Sequence, residues 1–186
     1  MLRTLFALTA ASAAVAAPAP KAKEKDPVYF TTRLDDKREY EVRSGDKVES
    51  TYTDLVTQVE KADGALHVTI TRDYPGSRAF VTVIAVSAEG LHRVSSNGKA
   101  LDTPIQLFKA PPKVGATWKW GAMTYGIVGE EEVDVPGGKY KAFKVESSGG
   151  GDSKTVQWFA PGIGLVKQSE TGSDTTIVLK AFTPGK

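Results

Sequence analysis

Leu66-His67-Val68-Thr69-Ile70-Thr71, followed after Tyr74-Pro75-Gly76 by Ala79-Phe80-Val81-Thr82-Val83-Ile84-Ala85-Val86, decides the fold class. The first stretch alternates apolar and polar strictly, the period of a strand with one wet face. The second is apolar on both parities, as a strand covered on two sides or lining a cavity would be. Working outward, 48–60, 117–120, 123–135, 140–147, 155–159, 164–169 and 175–182 read as further strands. The breaks between them carry turn chemistry: Asp63-Gly64, Asn97-Gly98, Pro136-Gly137-Gly138, Gly149-Gly150-Gly151 and Pro161-Gly162. Asn-Gly and Asp-Gly favour turns whose twist matches an antiparallel hairpin. No segment beyond the N-terminus keeps a helical period over three turns; the nearest, 105–109, is stopped by Pro111-Pro112. Short strands joined by hairpin turns without interposed helices predict one all-β domain, an antiparallel, strongly curved sheet or incomplete barrel.

The N-terminus speaks about compartment. Arg3 is a minimal positive region, 5–15 is an apolar run broken by Thr9 and Ser12, and Ala14-Val15-Ala16 offers small residues for signal peptidase. The run falls short of the roughly 20 apolar residues a membrane-spanning helix needs. The expected organisation is a cleaved signal peptide at 1–16, a disordered linker at 17–27 beginning with Ala17, and the β-domain at 28–186. The linker holds the one dense charge run, Lys21-Ala22-Lys23-Glu24-Lys25, beside Pro18 and Pro20. A chain of this size buries about 70% of its unfolded surface, enough for a self-sufficient core.

The chain has no cysteine, which removes disulfides, thiolate nucleophiles and the lipid-bearing cysteine of a bacterial lipoprotein. A free, secreted or periplasmic product is expected. The formal net charge is +2 with both signs interspersed, so the clustered basic stripe of a nucleic-acid binder is missing. His67 and His92 are the two histidines, without metal-ligand spacing between them. Glu130, Glu132 and Asp134 share a strand face with Val128, but their spacing of about 7 Å suits a solvated face better than a cation site, and Ile127, Val133 and Val135 are expected in the core. Serines fall in loop compositions such as Ser95-Ser96-Asn97-Gly98, with no nucleophile elbow. Neither a catalytic residue nor a cofactor is expected. Trp118 and Trp120 share a strand face, where two indoles can line an apolar mouth, stack on a sugar, or plug a core.

Four segments resemble a family. Val135-Pro136-Gly137-Gly138-Lys139-Tyr140-Lys141-Ala142-Phe143-Lys144-Val145 is similar to a recurring V-P-x-G hairpin. Trp158-Phe159-Ala160-Pro161-Gly162-Ile163-Gly164-Leu165-Val166-Lys167 is similar to the W-aromatic-A-P-G hairpin downstream of it. Pro112-Lys113-Val114-Gly115-Ala116-Thr117-Trp118 resembles its P-x-x-G-x-x-W strand entry, and Val28-Tyr29-Phe30-Thr31 to Tyr40-Glu41-Val42 its opening, with Asp35 in place of a glycine and Arg38 in place of a tryptophan. The resemblance is to secreted bacterial β-domains of unknown function, distantly similar to the half-barrels of periplasmic lipoprotein carriers. Together with the two-sided apolar strand and the tryptophans, it leads to the expectation of a non-enzymatic exported module that binds a lipid-like molecule or an envelope protein on a concave face carrying Phe80, Ile84, Trp118, Trp120 and Trp158. In the tight turn of the second hairpin, Gly164 is expected to admit an aromatic ring, with Trp158 lying over it. The competing expectation is a structural component of the cell envelope with a filled core; an enzyme comes third.

Overall fold

A computed structural model describes residues 28–149 and 154–185. The leader and linker readings lie outside the described residues, as does most of the triple-glycine turn. Twelve strands follow one another: β1 (Lys37–Ser44), β2 (Lys47–Ala62), β3 (Ala65–Asp73), β4 (Phe80–Ser87), β5 (Gly90–Ser96), β6 (Lys99–Lys109), β7 (Thr117–Trp120), β8 (Met123–Val135), β9 (Gly138–Ser148), β10 (Lys154–Ala160), β11 (Gly164–Glu170) and β12 (Thr175–Thr183). There is no helix among the described residues. All pair antiparallel in one sheet, ordered β6-β5-β4-β3-β2-β1-β12-β11-β10-β9-β8-β7. Chain neighbours are sheet neighbours except β6 and β7, which form the two edges, while β1 and β12 join the two halves, and the sheet curls until it nearly closes into a barrel.

The local chemistry explains the hairpins. Asp63 and Gly64 take φ of 50° and 77°, Asn97 and Gly98 take 50° and 75°, the paired positive values of a two-residue turn that follows strand twist. These turns set the register, and the register builds the interior. Leu66 pairs Val86, Val86 pairs Leu91, and Leu91 pairs Phe108, one apolar row across four strands. One pleat along, Val68 pairs Ile84. The concave face of the distant half contributes Ile127, Val145 and Phe159 to the same cluster.

The stretch 105–109 is the end of β6, and β5 and β6 are strands that alternation did not reveal. Their ladder shifts register between Leu91 and His92 and between Arg93 and Ser95, so no period of two survives in the sequence. The opening segment splits: Tyr40-Glu41-Val42 lies in β1, while 28–36 is no strand. Residues 28–36 cross one end of the barrel as a strap, tied by Gly162 N to Val28 O at 2.6 Å, Asp35 N to Val56 O at 3.0 Å and Val56 N to Asp36 O at 2.9 Å. Tyr29 and Phe30 are buried along it.

β8 carries a bulge between Ile127 and Gly129. The odd-numbered apolar residues therefore do not share one core. Ile127 enters the concave cluster, while Val133 and Val135 pack with Val166, Val178 and Trp158 in a second one. There the long β8–β9 hairpin reaches back to β12, with Gly137 N on Leu179 O at 3.0 Å. On the even parity Glu130 pairs Lys141 at 3.0 Å, and Lys139 lies between Glu132 and Asp134 at 3.8 and 3.7 Å.

Candidate functional site

A cavity of about 940 Å³ opens at the strapped end of the barrel. The β2–β3 turn, the β4–β5 turn and the segment after β6 converge there, because antiparallel pairing returns each hairpin to the same end. Leu66, Val86, Leu91 and Phe108, the four residues of the apolar row, form part of its wall. Tyr29 and Phe143 face it from the strap and from β9. Tyr29 packs on Phe108 at 4.9 Å between ring centroids and edge-on to Phe143 at 5.6 Å, so aromatic contacts add to the backbone hydrogen bonds that hold the strap. Burial, and then the nearby Glu130 carboxylate, raise the Tyr29 phenol above its ordinary value. Lys61, Asp63 and Glu130 are the charged groups of the lining.

The five residues expected to line a site are divided by the structure. Register places Phe80, Ile84, Trp118 and Trp120 on the concave face. Ile84 and Trp118 are buried in its cluster, and Phe80 is 37% exposed. Trp118 stacks on its cross-strand partner Tyr125, with centroids 5.5 Å apart and planes at 7°, rather than with Trp120. Trp158 lies on the opposite face: its neighbour Phe159 pairs Phe143 in the concave cluster, whereas Trp158 pairs Lys144. Its indole donates to Glu131 Oε1 at 2.6 Å and sits under the ammonium groups of Lys144 and Lys167, at 5.6 and 5.1 Å. None of the five lines the cavity. Its walls come instead from the ends of the flagged strands, at Leu66 and Val86, and from the unrecognised β5 and β6. The signal that could have found them is the convergence of Asp63-Gly64 and Pro111-Pro112 on one end of an up-and-down sheet.

Away from this cavity the interior is charged. Arg38, Asp54 and Arg72 are cross-strand partners on β1, β2 and β3. Asp54 accepts from Arg72 Nε at 2.6 Å and Nη2 at 2.8 Å, and lies 3.5 Å from Arg38 Nη2. The Arg38 and Asp54 side chains are each 4% exposed. Arg38 also donates to the Ile163 carbonyl at 3.2 Å and lies over the Phe30 ring. Gly164 makes this possible: a Cβ there would meet Phe30 Cδ2 at 2.9 Å and Arg38 Nη1 at 3.2 Å. An aromatic ring does cover this glycine, but it is Phe30 of the strap, since Trp158 points to the other face. Above the knot Tyr40 and Tyr52 stack at 4.9 Å. Burial pushes the Tyr40 phenol up to about 12, and raises Tyr52 further still. His67 and His92 stand on either side of Ala85 on the convex face, each paired with it across a strand.

Comparison with known proteins yields a likeness of fold. No family model and no curated protein matches the chain. Among solved structures, a presumed exported protein with a YmcC-like fold from Bacteroides fragilis superposes with a TM-score of 0.62 at 14% identity, covering 84% of this chain and 99% of that one. A presumed lipoprotein from Parabacteroides distasonis gives 0.49 at 10% identity over 86% and 100% of the two chains. The first of these is similar to this chain across nearly its whole length, and what the two share is the curled antiparallel sheet.

Proposed function

We propose that the protein is an exported, non-enzymatic binding module that holds an apolar or amphipathic small molecule in the end cavity. The carrying observation is the cavity itself. Its volume of about 940 Å³ lies within the roughly 300–1,000 Å³ range of ligand pockets. Its apolar walls with a few charges at the rim suit a molecule with an apolar body and a polar end. The signal-like leader and the exported relative in fold support a site of action outside the cytoplasm. The similarity of the two hairpins to carrier-like secreted domains points the same way.

Native mass spectrometry of protein purified without detergent, with titration of a fluorescent fatty-acid analogue, tests this. A co-purifying lipid-like species and saturable binding near one equivalent are expected. Leu66→Trp, which pushes an indole from a half-buried wall position into the cavity, should weaken binding about tenfold or more, on the scale of a 1–3 kcal/mol overpacking penalty. A protein that emerges empty and binds no apolar probe, with Leu66→Trp indistinguishable from wild type, would favour the envelope-scaffold reading instead.

A further inference from the structure

The charges around the cavity bear on the polar end of its ligand, given the binding reading above, on which this rests. Lys61, Asp63 and Glu130 are the charged residues of the lining. Glu130 is already answered, by the Lys141 ammonium of neighbouring β9 at 3.0 Å. Lys61 is not: among the described residues it makes no ion pair. Its register fixes where it faces. Val59 pairs Val68 and packs on the concave cluster, and Lys61, two residues along, pairs Leu66 of the cavity wall. The lysine therefore leaves the concave face at the rim, where its four-carbon stem can lie on apolar surface while the ammonium stays in water. Asp63, also without an ion pair, stands beyond the last paired residues, Ala62 and Ala65, at the tip of the turn with φ of 50°. Its short side chain leaves the carboxylate exposed at that tip. Tyr29 adds no negative charge, because burial and then Glu130 hold its phenol above its ordinary value and keep it a neutral donor.

We infer that the cavity takes an amphiphile with an anionic head, a carboxylate or a phosphate, whose chain lies against Leu66, Leu91 and Phe108 and whose head sits at the rim on the Lys61 ammonium. An exposed ion pair alone is worth little, because two mobile groups must be held together in water. Here the chain, anchored in the cavity, keeps the head in place, and the apolar wall beside it lowers the local dielectric and strengthens the attraction. An ammonium head would meet the opposite balance, with Lys61 against it and Glu130 already taken. The preference for an anionic over a neutral head on the same chain is about fivefold or more, and it falls with added salt.

Competition for a neutral apolar dye bound in the cavity tests the charge, using dodecyl compounds below their micelle concentrations: the carboxylate, the phosphate, the alcohol and the trimethylammonium salt. The two anions should displace the dye at about one fifth of the alcohol concentration or less, with the cation weakest. The tighter of the two anions names the head. Lys61→Gln removes the charge from an exposed position, so it should melt as wild type, take the alcohol as wild type does, and bind the anions no better than the alcohol. Lys61→Glu should turn the preference toward the cation. Lys141→Gln, outside the lining, should release Glu130 and narrow the preference for anions. Equal displacement by all the compounds, a wild-type preference for the cation, or an anion preference that survives Lys61→Gln would overturn the anionic head and leave the apolar cavity standing. Failure of the dye and of every dodecyl compound to bind would remove the binding reading itself, and the head with it.

Discussion

Asp54 shows how much one residue can organise. One buried guanidinium, Arg38, and one half-buried, Arg72, converge on its carboxylate, and the tyrosine stack rests on the Arg72 plane. Asp54→Asn would keep the shape and remove the charge, stranding both cations; breaking a buried pair in this way costs about 3–5 kcal/mol. Urea unfolding should report that loss, and a change under 1 kcal/mol would mean the cations are hydrated. Tyr40 gives a pH signature. Its phenol ionises near 10 when unfolded and at about 12 when folded, so the folded state keeps its proton through a window in which the unfolded chain loses it. The stability associated with Tyr40 is therefore fully present below pH 10 and lost as pH rises from 10 toward 12, amounting to roughly 2–3 kcal/mol. Unfolding at pH 9 and 11, with tyrosinate absorbance as a second probe, would show this fall. None of the charged knot was legible in the sequence. In Tyr52-Thr53-Asp54-Leu55-Val56 an acid occupies the inward parity, and alternation alone reads it as solvated.

At the scale of elements, strands that keep a clean period announced themselves, as β3 did after Asp63-Gly64, because burial on one face and a turn needing positive φ leave independent marks on the chain. β5 and β6 did not, since their bulges move residues between faces in mid-strand. The bulge in β8 did subtler harm: it left the odd-numbered apolar residues correctly buried while distributing them between two cores. Gly90 starts β5 and repays attention. Its φ is +126°, and a Cβ there would overlap the Phe108 carbonyl oxygen. Gly64, with φ of +77°, has open space around it. Gly64→Ala should cost about 1–2 kcal/mol, the left-handed penalty alone. Gly90→Ala should cost clearly more and loosen the β5–β6 ladder beside the cavity, measured by chemical denaturation and by amide exchange at Leu91 and Phe108. Equal costs at the two glycines would show that the β6 backbone yields.

For the whole molecule the open question left by the residues was whether the curved sheet is hollow or filled. Hydrophobic patterning reports which face is buried, and a packed core and a cavity wall bury the same side chains, so the sequence is silent between them. The curl into an incomplete barrel was expected from the succession of hairpins and is what the sheet does, but how nearly it closes depends on the sum of twists over twelve strands. The edges that meet, β6 and β7, share no backbone ladder; the Trp118 indole reaches from β7 to the Gln106 carbonyl of β6 at 2.9 Å. A single side-chain bond across the seam among the described residues implies that the barrel opens there before it melts elsewhere, since fewer bonds must break at once. Trp118→Phe retains an aromatic ring against Tyr125 and removes only the donor. It should lower global stability by about 1 kcal/mol, the worth of an ordinary hydrogen bond. Its larger effect should be local, with amide exchange accelerated in β6 and β7 and unchanged in β2 and β3. If the seam is also the route by which a ligand reaches the interior, the same variant should speed both uptake and release of a bound fluorescent fatty acid while leaving its equilibrium affinity nearly unchanged. Uniform acceleration of exchange across all strands would show instead that the indole is simply part of the core, and that the barrel opens elsewhere.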